Sequence, residues 1–187
     1  MLRWTSERAP AVGVSFNGYS SSCLPGNRML LVRAALENGA THVLFLDSDM
    51  TLPKDALLRL LAHDKPVVGA LCSTRGPMGN RVTGAESFDS TAPMTLRAGE
   101  TGLRRVEVLG FGVTMIRTTV FDRVPVESFE MRWSPELQAV EGEDFSFFRA
   151  LKRAGIAAYA DMGLSWEVGH IGSVPLGLEN VLTEGRK

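Results

Sequence analysis

The feature that most constrains the fold is an apolar run that ends abruptly in two carboxylates: Val43-Leu44-Phe45-Leu46 followed by Asp47-Ser48-Asp49. Four consecutive apolar residues followed by charge predict a strand buried on both faces, as in a parallel sheet covered by helices. Ligands of open α/β sheets bind at the carboxyl ends of the strands. The run therefore predicts an α/β fold, with a mostly parallel sheet flanked by helices and a candidate site just after Leu46.

The two carboxylates of this run favour a bound cation. If the extended backbone continues past Leu46, Asp47 and Asp49 point to the same side of the strand. No Lys or Arg lies close by in the sequence, so the two charges repel, and a shared cation or a shared proton relieves the repulsion. Oxygen ligands favour Mg²⁺ or Mn²⁺ over zinc. The alternative is that both residues begin a turn and cap the helix that follows.

Length and charge restrict the possible functions. With 187 residues the chain has the length of one domain, and we expect residues 1–187 to form it. Lys plus Arg number 20 against 21 Asp plus Glu, so no global positive field attracts nucleic acid or anionic lipid. Two distant cysteines, Cys23 and Cys72, are typical of reduced thiols in a cytoplasmic protein. We find neither a signal-peptide core nor a bilayer-crossing apolar segment in the sequence.

The first half of the chain predicts a strand, a helix and a second strand. Residues 12–16 form a strand candidate, and apolar spacing predicts a helix over Pro25 to Asn38 with Gly39 just past its end. Together with the Val43 strand they predict a right-handed parallel βαβ unit. A helix opened by Pro53 and a strand over 66–71 follow. Residues 73–104 are rich in Gly, Pro and Arg, which is typical of a functional or a solvated loop.

The second half contains a second acidic focus and a late histidine. Strands are expected over 106–109, 113–116 and 156–160, with the glycines of Gly110-Phe111-Gly112 marking a bulge or a close approach of the backbone. Glu143-Asp144 begins a predicted helix, where acidic residues either take part in a reaction or simply cap the helix. His170 lies between glycines and is either structural or a metal ligand.

Taken in their order along the chain, these motifs resemble those of the GT-A fold glycosyltransferases, especially family 2, over roughly residues 12–173. The resemblance rests on the Asp-X-Asp signature at 47–49, the Gly110-Phe111-Gly112 strand, the Glu143-Asp144 helix start and the late His170-Ile171-Gly172. It implies a metal-dependent transferase that moves a sugar from a nucleotide-diphosphate donor, a UDP- or GDP-sugar, to a hydroxyl acceptor with inversion.

The resemblance also implies roles for individual residues. Asp49 would be a direct ligand of Mn²⁺ or Mg²⁺, Asp47 a ribose or metal contact, and His170 the residue that completes the metal site. Asp144, with Glu143 beside it, would deprotonate the acceptor. The implied donor-contacting set is Asp47, Ser48, Asp49, Arg28 and Gly112. Family members usually carry a further strand and helix ahead of the strand at residues 12–16, which contribute much of the nucleobase pocket. The resemblance therefore implies a minimal enzyme, a fragment, or a protein whose base recognition comes from elsewhere, such as a partner subunit.

Two other functions stay open at this stage. The haloacid-dehalogenase phosphatases share an Asp-X-Asp-X-Thr signature, in which Asp47 would be the nucleophile and Asp49 the general acid. They place it on their first strand and need a downstream Lys, for which Lys152 is available, and then a paired acidic motif. The other alternative is a non-catalytic nucleotide- or sugar-binding module of the same fold.

Overall fold

A five-stranded sheet forms the centre of the protein. The structure is a computed structural model, and it describes residues 1–74, 82–88, 94–135, 138–172 and 177–178, without the side chains of residues 2–4. The helices are α1 (Leu2–Arg8), α2 (Leu24–Glu37), α3 (Ala56–Ala62), α4 (Glu143–Arg153) and α5 (Met162–Ser165), with 3₁₀ turns at Thr118–Asp122 and Val126–Ser128. The strands are β1 (His42–Leu46), β2 (Met50–Thr51), β3 (Val67–Gly69), β4 (Gly84–Ala85), β5 (Leu103–Val106), β6 (Val108–Leu109), β7 (Val113–Arg117), β8 (Arg132–Ser134), β9 (Ala139–Glu141), β10 (Ala158–Asp161) and β11 (Gly169–His170).

The central sheet is mixed, with more antiparallel than parallel pairing. Its order over the described residues is β1-β7-β3-β10-β5. Strand β7 runs antiparallel to both β1 and β3, and β5 runs antiparallel to β10. Only β3 and β10 pair in parallel within this described sheet. The chain is a single mixed α/β domain, and the prediction of a mostly parallel sheet is wrong.

The reason is that burial on both faces does not require parallel strands. Along β3, Val67 belongs to one buried core and its neighbour Val68 to a second; along β7, Ile116 and Met115 divide in the same way. Alternate side chains of a strand point to opposite faces, so each face of this sheet packs against its own core. The first core includes Val32 of α2 and residues of α4, and the second includes residues of α3. Continuous apolar runs therefore reflect helices on both faces, whatever the direction of the strands.

The expected βαβ unit is absent from the described residues because residues 12–16 do not form a strand. Their backbone carries no regular structure, and Phe16 is 77% exposed. The helix that follows is confirmed: α2 begins at Leu24, has a proline in its first turn, and is followed by Gly39 at φ 66°. With no strand ahead of α2, the pairing partner of β1 within the sheet is β7.

The remaining elements largely match the predictions. The helix over α3, the helix beginning at Glu143 and the strands β3, β7 and β10 are confirmed with small shifts at their ends. Part of the predicted loop, residues 75–81 and 89–93, lies outside the described residues. Its described parts include β4, which pairs with β6, and the beginning of β5. None of the helices in the described part of the chain combines the length and hydropathy that a bilayer-crossing segment needs.

Candidate functional site

The carboxylates after β1 lie in a tight turn rather than in a continued strand. The Asp47 N–H donates to the Gly112 carbonyl at 3.1 Å, and the Met50 N–H donates to the Asp47 carbonyl at 3.2 Å. The assumption of extended backbone is therefore wrong beyond Leu46. The proposed helix-capping role is wrong as well, because the residue at the N-cap of α3 is Asp55. Ser48 is exposed at the tip of the turn.

Asp49 and His170 are brought together by a short two-stranded pairing. Strand β2 pairs with β11, which places His170 opposite Met50, and the Ile171 N–H donates to the Asp49 carbonyl at 2.6 Å. As a result His170 Nε2 lies 3.3 Å from Asp49 Oδ2. Two of the three residues to which the resemblance gives a metal-binding role thus lie next to each other, although they are 121 positions apart in the numbering.

The other nitrogen of His170 fixes its tautomer. His170 Nδ1 lies 2.8 Å from the Ser73 carbonyl oxygen, which can only accept, so Nδ1 carries a hydrogen. Nε2 then holds either a second proton or a lone pair directed toward the Asp49 carboxylate. A lone pair facing a carboxylate is repulsive, whereas a cation between them is attractive. A carbonyl on the far nitrogen is also the usual outer partner of a metal-bound histidine.

Arg28 joins the two acidic foci of the sequence, Asp47-Ser48-Asp49 after β1 and Glu143-Asp144 at the start of α4. Its Nε donates to Glu143 Oε1 at 3.0 Å, and its Nη2 lies 3.4 Å from Asp47 Oδ1. The guanidinium also lies 4.7 Å from the ring centre of Phe111 and 5.3 Å from that of Phe45. The Arg28 side chain is only 7% exposed. The assumption that the carboxylates after β1 have no nearby cation is therefore wrong for Asp47, because α2 supplies one.

Asp144 lies in the first turn of α4, next to Glu143. Burial raises the pKa of the Asp144 carboxyl above its usual range, and the charge of Glu143 raises it further, while the N–H of Phe145 and the charge of Arg28 only partly oppose this. Phe145 N–H donates to Asp144 Oδ1 at 2.8 Å. Asp144 is thus a carboxylate of raised basicity, whereas Glu143 is occupied by Arg28.

The predicted metal ligands are only partly assembled. Asp49 and His170 are adjacent, but Asp47 pairs with Arg28, and no group of three His, Cys, Asp or Glu side chains able to hold a metal occurs within the described residues. Gly112 contributes its carbonyl to the turn. A Cβ at Gly112 would lie 3.4 Å from Met50 Sδ and 3.5 Å from Cys72 Sγ, which are ordinary van der Waals distances, so packing does not require a glycine there.

Sequence reasoning missed Ser73, whose carbonyl orients His170. Its only sequence signal is its position just after the predicted strand over 66–71. Ser73 is 2% exposed, and its hydroxyl has no hydrogen-bond partner among the described residues. A cavity of about 560 Å³ lies at a different place, lined by residues that include Arg59, His63 and Trp166. It shares no lining residue with the acidic site.

The fold and site define a mixed α/β domain with an acidic centre assembled from α2, the turn after β1, the start of α4 and β11.

No protein-family model matches the chain, and no curated protein matches it. Among solved structures it is similar to the crystal structure of A197 from STIV, with a TM-score of 0.66 and 15% identity, over 96% of this chain and 83% of that one. At that identity the likeness establishes the fold alone.

Proposed function

We propose that this protein is a GT-A-type glycosyltransferase that uses Mn²⁺ or Mg²⁺ to move a sugar from a UDP- or GDP-sugar to a hydroxyl acceptor, with inversion. The observation that carries the proposal is the pairing of Arg28 with both Asp47 and Glu143. It joins two acidic segments far apart in the sequence into one centre. Transfer of a sugar needs two such parts, one for the diphosphate and one for the incoming hydroxyl.

Asp49 and His170 are the residues suited to hold the cation. Mg²⁺ and related ions in phosphate-transfer sites are held by one or two carboxylates, with substrate oxygens and waters filling the other positions. A set of two protein ligands is therefore sufficient. The imidazole nitrogen favours Mn²⁺ over the harder Mg²⁺. When bound, the cation would stabilise the negative charge that develops on the leaving diphosphate.

Asp144 is the candidate base. A general base works best when its pKa lies closer to the working pH, and burial shifts the pKa of Asp144 in that direction. Glu143 is tied to Arg28 at 3.0 Å, so we assign it to positioning the start of α4 rather than to proton transfer. Inversion follows if Asp144 activates the acceptor on the side of the sugar opposite the diphosphate.

Nucleotide binding tests the proposal directly. Calorimetric titration with UDP and GDP should detect binding with Mn²⁺ present and at least about tenfold weaker binding after EDTA treatment. Asp49→Asn and His170→Ala should each reduce the effect of Mn²⁺. Asp122→Asn is the matched control, because Asp122 is exposed and lies in the 3₁₀ turn after β7. Nucleotide binding that is absent, or indifferent to both Mn²⁺ and Asp49, would refute the proposal.

The same experiments separate the alternatives. A phosphatase would release phosphate from simple esters and lose this activity in Asp47→Asn. The geometry does not favour it, because Lys152 pairs with Glu107 at 2.8 Å and lies about 12 Å along α4 from Asp144. A binding module would bind the nucleotide without any turnover of nucleotide sugars, and Asp144→Asn would then have no activity to remove.

A further inference from the structure

The hairpin ahead of α4 exposes an apolar face. Strands β8 and β9 pair in antiparallel register, with Trp133 opposite Val140. Trp133 is 57% exposed and Val140 55%, and Met131, just before β8, is 59% exposed. Side chains directly opposite on a hairpin lie about 5 Å apart, so the indole and the isopropyl group form one surface. Exposed apolar surface grouped in this way is typical of a binding site.

The opposite face of the same hairpin is fixed to α4. The Glu141 side chain is 1% exposed and is held by Arg132 Nε at 3.1 Å and by Arg149 Nη2 at 2.6 Å. Arg149 belongs to α4, the helix that carries Asp144 in its first turn. Charge-assisted hydrogen bonds to a carboxylate are stronger than neutral ones. The hairpin and the candidate base are therefore held in a fixed relation to one another.

The exposed face of the hairpin continues toward Asp144. Because side chains alternate along an extended chain, Val140 and the Cβ direction of Gly142 lie on the same side. Gly142 keeps an extended backbone, with φ −69° and ψ 166°. A Cβ built on Gly142 would lie 2.7 Å from Asp144 Oδ1. The side of the hairpin that bears Trp133 and Val140 thus leads, after two residues or about 7 Å, to the carboxylate of Asp144.

We propose that Trp133 and Val140 form a platform that binds a pyranose ring of a carbohydrate acceptor beside Asp144. The inference rests on the proposed transferase function and deepens it by naming the acceptor class. A pyranose presents an apolar C–H face and polar hydroxyl edges, so it can stack on an indole while one hydroxyl points along the hairpin toward a carboxylate. Asp144 would then accept the proton of that hydroxyl as its oxygen bonds to the donor sugar and the diphosphate leaves. Gly142 leaves room for this approach because it has no side chain.

Saturation-transfer NMR with four methyl pyranosides, those of glucose, galactose, mannose and N-acetylglucosamine, tests the platform without a known acceptor. At least one should bind saturably, with transfer strongest to protons on one face of the ring. Trp133→Ala should weaken that binding about tenfold, and Trp133→Tyr should retain most of it. Leu36→Ala, which removes a 41% exposed apolar side chain from α2, should have no effect.

Several outcomes would overturn the inference. They are the absence of saturable binding by all four pyranosides, or binding that is unchanged in Trp133→Ala. Trp133-dependent binding to phosphatidylcholine vesicles, or Trp133-dependent dimerisation without sugar binding, would also overturn it. Nucleotide binding with Mn²⁺ should be the same in Trp133→Ala as in the parent protein. If nucleotide binding is missing while a pyranoside still binds through Trp133, the transferase proposal fails and the sugar platform stands.

Discussion

Replacing Arg28 by methionine removes the charge that joins the two acidic foci. Methionine is similar in length and keeps apolar contact with the rings of Phe45 and Phe111, so the change mainly deletes the guanidinium. The Arg28 side chain is 7% exposed, that of Glu143 12%, and that of Asp47 41%. After the substitution the Glu143 carboxylate stays largely out of water without its partner, whereas Asp47 can be hydrated.

These exposures determine the expected cost. Removing one partner of a buried ion pair costs about 3–5 kcal/mol, because the other charge is left uncompensated. The contact with the partly exposed Asp47 adds little, since water screens it. We therefore expect the free energy of unfolding to fall by about 3 kcal/mol. For a domain of this size that corresponds to a drop in melting temperature of about 6–12 °C.

Thermal and denaturant unfolding at neutral pH measure this loss. Arg33→Met is the matched control on the same helix, because Arg33 is 52% exposed and its partner Glu127 63%, a surface pair worth about 0–1 kcal/mol. In Arg28→Met with Glu143→Gln the buried charge disappears as well, so the double variant should lose less than the sum of the two single variants. A loss below about 0.5 kcal/mol in Arg28→Met, or strict additivity, would refute the reasoning.

Three further predictions concern the start of α4 and the hairpin before it. Asp144→Asn should lower the rate of sugar transfer about 10²–10⁴-fold. Because the pKa of Asp144 is raised, the stability that its protonated form contributes is present at low pH and is lost as pH rises through that pKa. Asparagine stays neutral at every pH, so the variant should have a higher melting temperature than the parent at neutral pH but not in acid. Gly142→Ala places a Cβ 2.7 Å from Asp144 Oδ1 and should reduce transfer about 10²-fold with nucleotide binding intact, whereas Gly13→Ala, with nothing within 4 Å, should change neither. Burial opposes the charged form of Glu141, but its bonds to Arg149 prevail and lower the pKa of Glu141 below the ordinary 4.5. Glu141→Gln should therefore lower the free energy of unfolding at neutral pH, and this loss should shrink as pH falls through the lowered pKa. A loss of stability that does not depend on pH would contradict this.

The positions of most helices and strands could be predicted from the sequence, because they depend on local apolar spacing. The directions of the strands could not. Val67 and Val68 are buried in different cores, as are Met115 and Ile116, and such runs look the same in parallel and antiparallel sheets. Residues 12–16 have the composition of a strand, but strand formation needs a partner edge as well as propensity.

The candidate site shows the same division. The pairing of Asp49 with His170 was expected from the order of the segments in a resembling family. The contact of Arg28 with Asp47 and Glu143 was not, because Arg28 lies on α2, and its direction depends on how that helix packs on the sheet. Ser73 was missed since a backbone carbonyl leaves no trace in residue type. The charged side chains of the site could therefore be predicted from the sequence, whereas the packing and the main-chain groups that complete it could not.

The role of Arg28 can be decided by comparing two affinities in Arg28→Met. The resemblance implies that Arg28 anchors the nucleotide, which predicts that loss of a guanidinium–phosphate contact weakens UDP or GDP binding tenfold or more, about 1.4 kcal/mol. The geometry favours a different result. Its guanidinium already faces Glu143, Asp47 and the ring of Phe111, and little of it is exposed.

If Arg28 serves to balance these carboxylates, its removal leaves a more negative centre beside Asp49. Mn²⁺ binding in the absence of nucleotide should then tighten by about an order of magnitude, because a positive charge near the cation has been removed. Nucleotide affinity at saturating Mn²⁺ should change less than about threefold. Tighter Mn²⁺ binding together with lower thermal stability is a combination that a nucleotide anchor does not produce. Weaker nucleotide binding with unchanged Mn²⁺ affinity would instead restore the anchoring role that the sequence predicted.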